Sequence, residues 1–188
     1  PAQGNLGNAM MAQGAFENAI KAFLKTLKLQ PENYITSLNL GRAYKENGDF
    51  QAAFNAFSKV ISMQPEFSEA HNDLGLTLYG QGKLETALKS YQKAVDLNPN
   101  YADAYNNMGV AHQELGAVTR AIESYQKAIA INPNHLVAYG QKMFQQASLC
   151  DWSALQQDRT MIATLGVSTP DVTPWNMLGF EDHPMRHL

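Results

Sequence analysis

The sequence is short of charge, of cysteine and of long apolar runs, and each shortage closes off a class of protein. Charged residues make up 16% of the 188, against roughly 25% in typical soluble domains. The formal net charge is −3, so the basic excess that a nucleic-acid footprint needs is missing. Cys150 is the single cysteine, which leaves neither an intramolecular disulfide nor a paired-cysteine metal knuckle. No apolar stretch approaches the roughly 20 residues of a membrane span. No basic segment followed by an apolar one opens the chain as a secretory signal would. Phosphate-cradling glycine motifs are absent as well. The expectation is a cytoplasmic chain without a nucleic-acid or membrane partner. What is present is a hydrophobic content of 45%, enough to bury a core and to exclude global disorder. Asparagine and glutamine, 15 and 14 residues, supply much of the polarity that charge does not.

The strongest positive feature is a period. Pro31, Pro65, Pro99 and Pro133 are spaced 34 residues apart. Leu6-Gly7, Leu40-Gly41, Leu74-Gly75 and Met108-Gly109 recur in the same phase, as do Gly14, Gly48, Gly82 and Gly116. So do the pairs Ala19/Phe23, Ala53/Phe57, Ala87/Tyr91 and Ala121/Tyr125. Each element has a physical reason. The Gly14 set falls between two apolar-periodic segments, where a helix ends and a positive φ is favoured. The Pro31 set stops the second helix of each unit. The Gly7 set lies inside a helix at about 1 kcal/mol each relative to Ala. The expected compensation is close approach of the partner helix through the small Ala19 set, with the aromatics wedged between neighbouring units.

A 34-residue period carrying Leu-Gly, Ala-x₃-aromatic and a closing Pro resembles the tetratricopeptide repeat (TPR), a helix–turn–helix unit that stacks into a solenoid. The resemblance implies an all-α, right-handed TPR solenoid of about ten helices in antiparallel hairpins, with a C-terminal linker tail. First helices are expected near 2–13, 34–47, 68–81, 102–115 and 136–149, and second helices near 16–29, 50–63, 84–97, 118–131 and 152–164. Four repeats are expected at 1–33, 34–67, 68–101 and 102–135, a degenerate capping hairpin at 136–165 and a linker-like tail at 166–188 that leads towards a missing domain. By phase the first repeat begins one residue before Pro1, so the array is expected to start upstream. In the fifth hairpin Cys150 stands where the turn glycine would be and Arg159 where the aromatic would be, as suits a terminal unit.

In TPR folds the first helices line a concave groove, so the stripe opposite their Leu-Gly edge is expected to face a ligand. At i, i+4, i+7, i+11 spacing it holds Ile35, Asn39, Arg42 and Glu46, then Glu69, Asp73, Leu76 and Gly80, then Asp103, Asn107, Val110 and Glu114. One position recurs as Asn5, Asn39, Asp73 and Asn107. An asparagine amide can pair with both N–H and C=O of an extended backbone, so a ladder of them suits broad peptide binding. The alternative is that these side chains bond within the solenoid or face water. Asp73 breaks the ladder, since an ionised carboxylate only accepts.

Such a ladder resembles that of the O-linked N-acetylglucosamine transferases and their Spindly-type relatives, where it holds the acceptor polypeptide. Cys150-Asp151-Trp152 is similar to that family's closing repeat, and Pro174-Trp175-Asn176-Met177-Leu178 with Asp182-His183-Pro184 is partly similar to its linker. The resemblance implies the acceptor-recognition arm of a glycosyltransferase, without the catalytic domain. The alternative is a non-enzymatic scaffold that organises a complex or self-assembles, as a homo-oligomer, through its groove or its apolar tail. The partner is a protein or peptide in either case, and no cofactor or catalytic residue is expected within the 188 residues. The acidity is expected to belong to the tail: residues 151–188 hold five acids and two bases, whereas 1–150 hold twelve of each.

Other constellations carry little. His183 and His187 have helical metal spacing but no third ligand. Cys150 has no basic neighbour of the kind a catalytic thiolate needs, and is expected to be a packed turn residue. The clamp that holds acidic C-termini needs lysines where this chain has Gly4, Leu38, Asn72 and Asn106.

Overall fold

The computed structural model describes residues 2–150. Among them every regular element is an α-helix: α1 (Ala2–Ala12), α2 (Phe16–Leu29), α3 (Tyr34–Glu46), α4 (Phe50–Met63), α5 (Ser68–Gly80), α6 (Leu84–Leu97), α7 (Ala102–Glu114), α8 (Val118–Ile131) and α9 (Leu136–Ser148). The odd-numbered first helices and even-numbered second helices pair into hairpins, and each hairpin packs on the next through α2–α3, α4–α5, α6–α7 and α8–α9. The expected tenth helix and the tail lie outside the described residues. No helix among the described residues is long and apolar enough to cross a membrane.

The hairpin turns are made by backbone chemistry. Gly14, Gly48, Gly82 and Gly116 have φ between +70° and +81°. In each case the following residue donates its N–H back to a carbonyl five residues earlier, as Asp49 does to Tyr44 and Lys83 to Leu78, both at 2.9 Å. That is the 6→1 closure of a helix C-terminus, which needs a left-handed residue. Open space surrounds these glycines, so conformation alone selects them. Cys150 adopts the same left-handed conformation with φ 55°, a strain of about 1–2 kcal/mol for a residue with a side chain. It is exposed, not packed as expected.

The helix-interior glycines have a different reason. A Cβ at Gly7, Gly41, Gly75 or Gly109 would sit 2.4, 2.7, 2.4 and 2.4 Å from the ring of Phe23, Phe57, Tyr91 and Tyr125 respectively. The nearest atoms are those of the ring on the hairpin's own second helix, and the small Ala19 set is fully buried as well. All four rings are fully buried. They also serve the stack: Phe23 shares its apolar cluster with Leu40 and Ala43 of the next hairpin, and Tyr91 shares one with Ala111. Burying a large aromatic stabilises by roughly 1.5–3 kcal/mol, which offsets the intrinsic penalty of each glycine.

Candidate groove of the first helices

Successive first helices touch one another, α1 with α3, α3 with α5 and α5 with α7, while successive second helices do not come equally close. The stack therefore curves with its first helices on the inside. Polar side chains tie those inner neighbours together, and the recurring Asn/Asp position is where they do it. Asn39 Nδ2 donates to Asn8 Oδ1 at 3.0 Å. Arg42 Nε donates to Asp73 Oδ2 at 2.6 Å, and Arg42 Nη2 reaches Glu69 Oε2 at 3.3 Å. Asn107 Nδ2 donates to Asn72 Oδ1 at 2.9 Å.

These bonds explain the break in the ladder. The partner of Asn39 lies 31 residues before it, at Asn8, and the partner of Asp73 lies 31 before it, at Arg42. An amide pair in one interface is replaced by an ion pair in the next. At Asn107 the residue 31 earlier is Leu76, which cannot pair, and the amide turns to Asn72 instead. The stripe read from the sequence includes neither Asn8 nor Asn72, although polar pairs 31 residues apart pick out Asn8–Asn39 and Arg42–Asp73.

The predicted site residues divide accordingly. Arg42, Glu69 and Asp73 form one cluster. Asp73 is buried, with a side chain 7% exposed. Burial raises its carboxyl above the ordinary value, and the Arg42 guanidinium opposes that rise without cancelling it. The phenol of Tyr101 is pushed up to about 12, by burial first and then by the carboxylates of Asp73 and Glu69. Glu46 is exposed beside Lys45, 3.0 Å away. Glu114 hydrogen-bonds Tyr79, whose phenol is raised by burial and by that carboxylate. Asp103, 75% exposed, lies 3.3 Å from His135 Nε2. His135 holds the next hairpin too, since its Nδ1 accepts from Ala138 N–H at the start of α9. Asn5 is exposed on α1. Asn39 and Asn107 are half-buried, each with one amide hydrogen engaged and the other, with the carbonyl oxygen, left over. Gly80, placed in the groove stripe by its spacing, has a packing role: a Cβ there would meet the Phe50 ring at 2.5 Å.

Elsewhere α6, α7 and α8 line a half-open pocket of about 210 Å³ beside His112, with Arg120, Glu123 and Lys127 at its walls. Burial, then Arg120, lowers the His112 pKa. Among the described residues no cluster of three or more metal-ligating side chains occurs, and His183 and His187 lie outside them.

Family models described as TPR repeat match residues 7–48, 41–82 and 75–116, and one described as tetratricopeptide repeat matches 102–135. The chain belongs to the tetratricopeptide-repeat family. No curated protein matches it. Among solved structures it is similar to MamA, at 28% identity and a TM-score of 0.75, over 85% of this chain and 94% of that one. PilF of Pseudomonas aeruginosa superposes with a TM-score of 0.79 at 19% identity, over 89% and 77%. A thermophilic TPR protein of Thermus thermophilus does so at 0.71 and 20%, over 90% and 91%. The last two likenesses concern the fold alone. As a TPR protein the chain is a protein–protein interaction scaffold.

Proposed function

We propose that the TPR groove binds an extended polypeptide along the faces of α3, α5, α7 and α9. The observation that carries this reading is the half-engaged amide ladder. Asn39 and Asn107 each hold a neighbouring helix with one N–H and keep one N–H and one carbonyl oxygen, the complement of a peptide unit. Asp73 is closed to this role by Arg42, so backbone contacts would be interrupted at the third repeat. The exposed Asn5, Glu46, Glu69, Asp103 and Glu114 and the half-buried Arg42 complete the proposed site. The test is to select peptides from a random library against the whole chain and challenge them with variants. Asn107→Ala and Val110→Asp should weaken binding, and Lys93→Glu on a second helix should not. The opposite pattern would remove the groove from consideration.

A finer reading makes this groove the acceptor arm of a glycosyltransferase. It is favoured by the ladder and by Cys150-Asp151-Trp152, of which residues 151 and 152 and the linker-like Trp175 and His183 lie outside the described residues. Replacing Asn5, Asn39 and Asn107 by Ala in the intact parent enzyme should reduce glycosylation of protein acceptors. Unchanged glycosylation would leave the scaffold reading alone.

A further inference from the structure

We infer that the groove selects a cationic segment with an apolar residue about every third position; this rests on the groove reading above and names the chemistry of its occupant. Two observations carry it. The first is a segregation of charge that the totals conceal. Residues 1–150 hold equal numbers of acids and bases, but the two kinds of helix do not share them evenly. The first helices α1, α3, α5, α7 and α9 carry five carboxylates against three bases, and the second helices α2, α4, α6 and α8 carry eight bases against four acids. Of the three inner bases, Arg42 is held by Asp73 and Glu69, Lys45 lies against Glu46, and Lys142 is buried. Glu69, Asp103 and Glu114 are exposed on the inner helices. The first helices thus carry a small acidic excess in addition to that of the tail.

The second observation is a change of character along one column. Residues at successive 34-residue steps are Asn8, Arg42, Leu76, Val110 and Phe144. The first two are engaged by Asn39 and Asp73. The last three are apolar, Leu76 and Val110 half-buried and Phe144 43% exposed. They recur on α5, α7 and α9, Leu76 and Val110 each with one side against a core cluster, and helical spacing sets Glu69, Asp103 and Glu114 on the same faces of α5 and α7. Packed helices lie roughly 8–10 Å apart, and an extended chain advances about 3.3 Å per residue. One ligand side chain in about three therefore meets each apolar position, and the residues between can carry cations to these carboxylates. Residues 151–188 of this chain, with five acids against two bases, have the wrong sign to be the occupant.

The test uses the whole chain and fluorescent peptides built on the triplets Leu-Lys-Thr, Leu-Glu-Thr and Thr-Lys-Thr. The Leu-Lys-Thr peptide should bind at least about tenfold more tightly than either control and weaken as salt rises. Combining Glu69→Gln, Asp103→Asn and Glu114→Gln should lower its affinity about tenfold, and Phe144→Ser should lower it several-fold. Equal binding of the Leu-Glu-Thr peptide, itself reduced by Val110→Asp, would overturn the charge selection and leave the groove reading standing. Tight Leu-Lys-Thr binding untouched by Val110→Asp or Asn107→Ala would overturn both. Self-association that excludes every peptide would overturn the inference in favour of a second copy as occupant.

Discussion

Gly7, Gly41, Gly75 and Gly109 stand next in sequence to Asn8, Arg42, Leu76 and Val110, and the two columns behave in opposite ways. One keeps glycine through all four full repeats and changes only in the fifth hairpin, at Met143; the other runs from amide through cation to hydrocarbon. The difference is one of free space. The glycine column faces an aromatic ring of its own hairpin, which leaves no room for a Cβ. In the adjacent column Asn8 and Arg42 pair with a side chain on the next first helix, and Leu76 and Val110 are half-buried beside the apolar clusters. Identity across these four repeats therefore marks packing, and the adjacent column varies where each interface finds its own partner.

The largest expected effect tests the packed column. Gly75→Val would drive its branched side chain into the Tyr91 ring and should destabilise by about 3 kcal/mol, the upper end of overpacking penalties. Thermal unfolding of the whole chain should shift down by roughly 6–12 °C. Combining it with Tyr91→Leu should give less than the sum of the two losses, because both act on one contact. By contrast, Asn8→Ala in the neighbouring column removes one exposed amide bond and should stay within about 1 kcal/mol. Similar losses at both positions would dissolve the distinction.

The next effect concerns the ion pair. Arg42→Met strands the Asp73 carboxylate in a buried site. Breaking a fully buried pair costs about 3–5 kcal/mol, but Arg42 is 36% exposed and Asp73 can take up a proton, so about 2 kcal/mol is expected at neutral pH. The sign of the pH dependence follows from Asp73. Its folded pKa is raised, so the contribution of this group is fully present below its unfolded value and is lost as pH rises through the raised one. Without Arg42 the carboxyl rises further. The gap between Arg42→Met and the parent should therefore narrow as pH falls from neutral into the acid range. A gap that widens on acidification would mean that Asp73 is not held in this way.

Much of this fold is legible in the sequence because its causes are local or strictly periodic. Turn glycines need positive φ, prolines stop helices, and a 34-residue step repeats both; the four second helices among the described residues fall on the expected spans. The inner face is legible only in part. Asn39, Arg42, Asp73 and Asn107 can be placed on it by helical spacing, but spacing does not say that they bond to one another. Those bonds join residues 31 or 35 apart, and the offset depends on how neighbouring hairpins are rotated. Charge totals mislead for a related reason. Equal numbers of acids and bases look neutral until alternate helices are assigned to opposite faces.

A smaller effect separates the two kinds of glycine. Gly48→Ala meets no neighbouring atom and should lose about 1 kcal/mol through φ alone, whereas Gly41→Ala meets the Phe57 ring at 2.7 Å and should lose more despite the better helix propensity of alanine. Urea unfolding of the pair measures the two mechanisms against each other.

The smallest effect is a transplant. If the ladder varies because each pair is an independent solution to the same interface, the second-to-third repeat solution should work one repeat later. Leu76→Arg with Asn107→Asp places a cation 31 residues before a carboxylate, the relation that Arg42 and Asp73 have. Each change alone should destabilise, Leu76→Arg by losing apolar packing and Asn107→Asp by breaking its bond to Asn72. Together they should recover about 0.5–1 kcal/mol of coupling, the range for a partly exposed pair. A coupling of zero would show that Arg42 and Asp73 depend on their own repeat's backbone and not on the 31-residue relation. The transplant would also remove one apolar position from the column, so the Leu-Lys-Thr peptide should bind the double variant more weakly even where stability is restored.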